Sequence, residues 1–234
     1  MHFSGMIVRY TEEIAQMQPS SVLEVGCGTG VVLRRMKDVL PETVRLAGAD
    51  VSECLLEKAR EKDPSIEWKK VEAERLSFAN ASFDIVVMHT LLSHVDDPVA
   101  LLAEAKRVLV PGGTIVVFDA DHAGTTYGLA DAGERRRIDH LLSSAIAVQA
   151  DVCSQLPRYA AQAGLSIQSH SAEVISECGR GDYWLSSVKA FLAMFPKVPI
   201  LSEEDAAYCG NEMLRSHEEG TFFASGTFYT YFLQ

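Results

Sequence analysis

The chain opens on apolar positions spaced three and four residues apart: Met6, Ile7, Tyr10, Ile14 and Met17. That period predicts a helix over 5–18, closed by Pro19-Ser20. The pattern then changes to short, nearly continuous apolar runs bounded by glycine, proline or polar residues. Residues 21–25, 44–49, 66–71, 83–88 and 114–118 read as five buried strands. Between them lie stretches that read as helices: 31–40, ended by Pro41, and 52–62, with Ser52 at the N-cap. A third helix runs to about Leu109 and is opened by Asp97-Pro98, a cap followed by proline at the first helical position. Pro111-Gly112-Gly113 predicts the turn before the fifth strand. Strands without polar alternation, interleaved with helices, indicate a parallel sheet covered on both faces. Right-handed crossovers make that a doubly wound α/β fold.

The regularity ends after Asp119. Residues 123–149 read as helical or irregular, 151–163 as a helix ended by Gly164, and 165–175 as a sixth strand. Two helices, 182–195 and 202–218, precede an aromatic seventh strand over 221–232. The expectation is one domain over 1–234: a regular half, 1–120, and a second half, 121–234, where helical insertions interleave with strands six and seven.

Composition narrows the partners. Of 234 residues 47% are hydrophobic, ample for a core and against disorder. Lys and Arg number 21 against 32 Asp and Glu, a net charge of -11, which would repel a polyanion, so no nucleic-acid partner is expected. The one short basic cluster, Glu134-Arg135-Arg136-Arg137, reads as a solvated helix face. The five cysteines, Cys27, Cys54, Cys153, Cys178 and Cys209, are odd in number and widely spaced. That argues against a disulfide framework or a metal site and for a reducing cytoplasm. No apolar run reaches the ~18 residues of a membrane helix, and the first residues carry no signal-peptide stretch.

The most informative stretch is Val22-Leu23-Glu24-Val25-Gly26-Cys27-Gly28-Thr29-Gly30. Glycines let backbone N–H groups come close to a ligand, and a strand-to-helix loop is where an open α/β sheet binds one. Asp50 closes the next strand, and a carboxylate there can accept hydrogen bonds from ribose hydroxyls. Together they imply an adenosine-type ligand. The spacing is Gly-x-Gly-x-Gly, with Val31 where a dinucleotide fingerprint needs its third glycine, and no Lys-Ser/Thr follows as in a P-loop.

This stretch resembles the first motif of the class I S-adenosylmethionine-dependent methyltransferases. Glu72-Ala73-Glu74-Arg75-Leu76-Ser77-Phe78 resembles the segment that cups the adenine in that family. Ser82-Phe83-Asp84-Ile85-Val86-Val87 resembles its fourth-strand motif, and Arg107-Val108-Leu109-Val110-Pro111-Gly112-Gly113 the turn before strand five. The overall look is that of the type 11 subgroup, over about residues 20–120. The resemblance implies a Rossmann-like seven-stranded sheet of order 3-2-1-4-5-7-6, with strand seven antiparallel. It implies S-adenosylmethionine as cofactor and S-adenosylhomocysteine as product. Gly26, Cys27, Gly28 and Gly30 would pass under the methionine part. Glu24 would orient that loop or reach the amino group through water. Asp50 would bind the ribose, Val51 would pack on adenine, and Glu72 and Ala73 would meet the adenine edge. Met88 and His89 would line the sulfonium side.

A sulfonium is an activated leaving group, so the protein mainly supplies proximity and alignment, and a base helps only where the acceptor must lose a proton. The candidates are His89, which ends strand four, and Asp121 with His122, which follow strand five. His94 reads as structural. The segment Met88-His89-Thr90-Leu91 lacks the Asn/Asp-Pro-Pro-Tyr/Phe run, which argues against an exocyclic amide or nucleobase amino group as acceptor. Tyr127, Tyr183, Trp184, Phe191, Phe195, Phe222 and Phe223 are available to stack a planar acceptor, and the helical insertions suggest a lid. The expected activity is methyl transfer to oxygen or ring nitrogen of a small, aromatic or heteroaromatic metabolite or natural product. The alternatives are a quinone-pathway C-methyltransferase and, in another class, a non-catalytic protein that binds the cofactor or its product. A monomer or homodimer without membrane partners is expected.

Overall fold

A computed structural model describes residues 2–72, 75–129, 131–194 and 202–234, with the side chains of 2–6, 8 and 189–194 left aside. The chain divides into two compact units: residues 1–119, 154–171 and 229–234, and residues 120–153 with 172–228.

The first unit is built on parallel strands. After helix α1 (His2–Gln16) come β1 (Ser21–Val25), α2 (Val31–Lys37), β2 (Arg45–Asp50), α3 (Glu53–Lys62), β3 (Glu67–Lys70) and β4 (Phe83–His89). A 3-10 turn over Leu92–His94, α4 (Pro98–Val108) and β5 (Leu109–Ala120) follow. β1 pairs in parallel with β2 and β4, β2 with β3, and β4 with β5. Their apolar runs are sealed on both faces: Val22, Leu23, Ala47, Val86, Val87, Met88 and Val116 have no exposed surface. Continuous apolar sequence is what a strand buried on both sides requires.

Local sequence explains the ends. Asp97 accepts a hydrogen bond from Ala100 N–H at 2.9 Å and Pro98 opens α4, as its sequence predicts. Ser52 does sit at the N-cap of α3, but its side chain makes no capping bond; Asp50 Oδ1 takes the Ser52 N–H instead, at 2.8 Å. The Pro111-Gly112-Gly113 turn lies inside β5 as an irregularity: the β4–β5 register shifts between the Phe83–Leu109 and Ile85–Thr114 pairs. β5 is therefore longer than its apolar core suggests. Backbone pairing continues on both sides of the bulge.

The second unit holds β6 (Thr126–Tyr127), α5 (Ala132–Ile146), α7 (Tyr183–Met194) and α8 (Glu203–Glu219). Helix α6 (Val152–Gln162), β7 (Ile167–Gly179) and β8 (Phe222–Leu233) complete the chain order. Asp131 caps α5 by accepting from Gly133 and Glu134 N–H, and Ser202 caps α8 by accepting from Asp205 N–H. The Glu177 carboxylate accepts the Asp182, Tyr183 and Trp184 N–H groups at the start of α7. A helix start offers such unpaired donors.

The sheet has eight strands in the order β3-β2-β1-β4-β5-β8-β6, with β7 paired to β8. The two-residue β6 is the added strand, so the expected sixth and seventh strands are β7 and β8. β6 runs antiparallel to β8. Ser166 and Gln234 exchange both backbone hydrogen bonds, at 2.7 and 2.9 Å, the pattern of an antiparallel pair.

Candidate active site

The loop after β1 is shaped by three glycines, all with a left-handed φ (+72° at Gly26), whose surroundings differ. At Gly26 a Cβ would stand 2.7 Å from Leu91 Cδ1. At Gly30 a Cβ would stand 2.2 Å from the Trp68 indole, and its φ of +73° is left-handed as well. Gly28 also has a left-handed φ, +53°, but a Cβ there would meet open space. The Gly26 and Cys27 N–H groups donate to Ala49 O at 2.8 and 3.0 Å, which ties the loop to the end of β2. Gly28 N–H donates to Asp50 Oδ2 at 2.7 Å. Asp50 is 8% exposed, and each of its oxygens keeps lone-pair capacity beyond the backbone bond it accepts.

Beside this loop lies a cavity of about 340 Å³, lined by Val25, Gly26, Asp50, Val51, Val71, Leu91, His94, Val95, Asp96 and Leu101. That is within the size range of small-molecule sites. Val51 is 56% exposed, an apolar side chain open at the rim. Val71 also borders a second concavity, of about 890 Å³, walled by Glu72, Arg75, Leu76, Ser77, Phe78, Glu104 and Arg107. Arg107 braces that wall by donating to Leu76 O at 2.7 Å and Phe78 O at 2.9 Å, and Glu104 accepts from Leu76 N–H at 3.0 Å. Ala73 and Phe195 lie outside the described residues, as does the side chain of Phe191.

Glu24 is 2% exposed, and its Oε2 has no hydrogen-bond partner among the described residues. Burial holds its carboxyl well above the usual range; Asp50 adds to that rise, while the Leu33 N–H hydrogen bond opposes it. A buried carboxylate oxygen without a partner is costly, so it calls for a cation or donor. The orphaned Glu24 oxygen, the open space over Gly28 and the Asp50 carboxylate fit a ligand that carries an ammonium group and a ribose.

Met88 is wholly buried at the end of β4, paired with Val25. One step further, His89 pairs with Phe118 of β5. The imidazole Nδ1 lies 2.9 Å from the Tyr10 hydroxyl, and the ring stacks on Phe118 at 4.7 Å with planes 8° apart. Burial, with the Arg35 charge, pushes His89 down to about 4, so the ring is neutral at pH 7. Thr90 follows with a φ of +48°, a strained value for a β-branched residue, and its N–H donates to Phe118 O at 2.7 Å.

Asp119 is buried and accepts from Ser93 N–H and Oγ, at 3.1 and 2.8 Å. The remaining candidates lie in the second unit. Burial raises the Asp121 carboxyl, Asp151 adds to the rise, and the Gly124 N–H hydrogen bond opposes it. His122 follows it, half-buried. Tyr127 and Trp184 are 2% and 5% exposed and stand edge to face, centroids 5.9 Å apart. Trp184 Nε1 donates to Ile175 O at 3.1 Å, and Tyr183 and Phe228 pack on the same indole.

The structure therefore brings Glu24, Gly26, Cys27, Gly28, Gly30, Asp50, Val51, Met88 and His89 to one end of the first unit's sheet. Sequence reasoning missed Leu91, Val95, Asp96 and Leu101 as cavity walls and took His94 as structural. It also missed Trp68, whose indole fills the space over Gly30 and Gly48. No periodic signal marks these positions. The available cue was the compact run Leu91-Leu92-Ser93-His94-Val95 directly after a buried strand.

The sheet order, the glycine loop and the acidic end of β2 together define a Rossmann-like methyltransferase fold. Residues 23–117 match the family model described as "Methyltransferase domain", and the chain is similar in sequence and fold to class I methyltransferases. It is 39% identical over 100 residues to the malonyl-[acyl-carrier protein] O-methyltransferase of Hahella chejuensis, across 42% of this chain and 36% of that protein. It is 34% identical over 164 residues to the ubiquinone/menaquinone biosynthesis C-methyltransferase of Desulfotalea psychrophila, across 68% of this chain and 63% of that protein. The match thus spans about a third to under two thirds of these relatives' lengths. The crystal structure of a candidate methyltransferase from Bacillus halodurans C-125 shares the fold, with a TM-score of 0.68 over 96% of each chain at 16% identity. No helix among the described residues is long and apolar enough to cross a membrane. No group of three or more His, Cys, Asp or Glu among them could hold a metal ion.

Proposed function

We propose that this chain binds S-adenosylmethionine in the cavity beside Gly26–Gly30 and transfers its methyl group to a small acceptor. The carrying observation is the Asp50 carboxylate, which ties down Gly28 at 2.7 Å on the wall of that cavity. The spare lone pairs of Asp50 would accept from the ribose, and the exposed Val51 would pack on the adenine. Glu24 Oε2 would meet the ammonium group, directly or through a water. Glu72, on the wall of the neighbouring concavity, and Ala73 would serve the adenine edge. Met88 and His89 would border the reacting end.

The cofactor supplies an activated methyl group, so this chain's residues contribute chiefly alignment and exclusion of water. Its groups with proton-accepting chemistry are His89 in the first unit and Asp121 with His122 in the second. The acceptor we favour presents oxygen or ring nitrogen on a small aromatic or heteroaromatic metabolite. A second reading, quinone-pathway C-methylation, is favoured by the 34% likeness to the Desulfotalea enzyme. Five free thiols support a reducing cytoplasm as the place of action. We read the enzyme as a monomer or homodimer.

Thermal unfolding with S-adenosylhomocysteine, and with NADH as control, tests the cofactor. At about 100 times its dissociation constant a ligand adds about 2.7 kcal/mol, a shift of roughly 5–10 °C at this size. A shift with the homocysteine nucleoside alone is expected; a shift with NADH alone would overturn the assignment. Labelled methyl transfer to phenols, heteroaromatics and quinone precursors then separates the two acceptor readings.

A further inference from the structure

Among the described residues β7 pairs with β8 and with no other strand of the sheet. Ser166 and Gln234 exchange both backbone bonds just before β7 begins, so Ser166 turns its N–H and C=O toward the neighbouring strand. These groups alternate in direction along an antiparallel strand. Ile167, Ser169 and Ser171 therefore aim theirs away from β8, along the outer edge. Ile175 shares that parity, and its C=O lies outside the ladder: it accepts the Trp184 Nε1–H at 3.1 Å. The fold thus occupies the edge carbonyl at Ile175 and leaves the edge bare further back.

The bare stretch lacks the usual guards of a sheet edge. Gln168–Ala172 are five consecutive exposed residues. From Ile167 to Ala172 there is no proline, carboxylate, lysine or arginine. Natural edges are blunted by such residues, and a neutral open edge is a template for another strand. Its side chains are already held in place. Gln168 Nε2 donates to Ser166 Oγ at 2.8 Å, and the His170 ring stacks on Tyr231 with centroids 5.7 Å apart. Ile167–Ser171 and residues 229–234 of β8 both belong to the first unit.

We propose that the Ile167–Ser171 edge docks the same edge of a second copy of this chain, antiparallel about a two-fold axis at Ser169. Ser169 then meets Ser169 of the second copy, and Ile167 meets Ser171, each pair exchanging both backbone bonds. Gln168 falls opposite His170, where its amide oxygen accepts an imidazole N–H. A second copy is the occupant because it brings the same bare edge, and the isologous pairing closes at two. The pairing sets no acidic side chain against another, although each copy carries a net charge of -11. Strand pairing over so few residues buries less than the about 1,000 Å² of a tight interface, so the dimer parts on dilution. The interface rests on the sheet and not on the methyl-transfer reading.

Sedimentation equilibrium from low to high micromolar concentration, with amide hydrogen exchange on the same samples, tests the interface. A monomer–dimer equilibrium is expected, and exchange at the Ser169 and Ser171 amides should slow as the dimer forms. Ser169→Pro removes an N–H that points away from β8, so the ladder to β8 stays whole. At the two-fold axis it deletes one bond from each copy, and the dissociation constant should rise about ten-fold or more. Ser169→Lys keeps the N–H, sets like charges face to face and should weaken the dimer as well. If Ser169→Pro does not fold, Ser169→Lys and the wild-type exchange decide. A monomer at every concentration, or a dimer that both variants leave unchanged, overturns the proposal. So does a dimer whose Ser169 and Ser171 amides exchange as fast as in the monomer. A dimer with protected edge amides in a protein that binds no S-adenosylhomocysteine would keep this interface and remove the cofactor reading.

Discussion

The Asp50 carboxylate stands 2.7 Å from the Gly28 backbone N–H, so one side chain at the end of β2 holds the loop after β1. Its second oxygen takes the Ser52 N–H at 2.8 Å and starts α3. One acidic residue thus couples two neighbouring βα turns and faces the cavity they enclose. Asp50→Ala should weaken S-adenosylhomocysteine binding by about 1–3 kcal/mol, the scale of hydrogen bonds to a charged group. Calorimetric titration checks this, and unchanged affinity would sink the ribose assignment.

The loop glycines should respond differently to the same methyl group. Gly30→Ala drives a Cβ into Trp68, 2.2 Å away, at a left-handed φ. It should cost about 2–4 kcal/mol of stability, from overpacking and backbone strain together. Gly28→Ala meets open space and should cost only the strain of its φ, about 1–2 kcal/mol. It should instead lower cofactor affinity, since its methyl enters the ligand's space. Urea unfolding beside a binding titration separates the two, and equal stability losses would contradict the packing account.

Glu24 makes the ligand-free protein sensitive to alkali. Its folded carboxyl lies well above the usual value, so the unfolded chain releases that proton first. Its contribution is complete below about pH 4.3 and is lost as pH rises through the folded value. Glu24→Gln should flatten that decline and raise neutral-pH stability by on the order of 1 kcal/mol while weakening cofactor binding. Stability that does not rise between pH 5 and 8 in Glu24→Gln would show that the buried oxygen is already satisfied.

His89 works in the opposite sense. Its folded value is pushed down to about 4, below the unfolded value of about 6.5. The neutral ring's contribution is complete above the unfolded value and is lost as pH falls toward the folded one. Up to about 3 kcal/mol follows from a shift of that size, an upper bound for a ring that is not fully buried. In His89→Gln the acid limb between about pH 6.5 and 4 should shrink, read by unfolding midpoints across that range. An unaltered limb would place the acid sensitivity elsewhere, in the paired carboxylates.

Sequence alone determined the parallel sheet and the loop of the site. Buried strands such as 83–88 must be apolar on both faces, and a tight loop at a strand end must be glycine-rich, so both requirements are written in consecutive residues. The Asp97-Pro98 helix start was legible for the same reason, since a cap acts within four residues. Tertiary structure decided what depends on partners far along the chain. The Trp68 indole fills the space a Cβ would need at positions 30 and 48, and Leu91 crowds position 26, where φ is +72°. Tyr10 meets a histidine 79 residues away. The Pro111-Gly112-Gly113 segment became a bulge within β5 because β4 continued to pair on either side of it. The two-residue β6 carries too few residues for a period, and β8 alone makes it a strand. Local chemistry sets turns, caps and strand character; pairing and packing across the sheet choose which side chains line the cavity and how each is protonated.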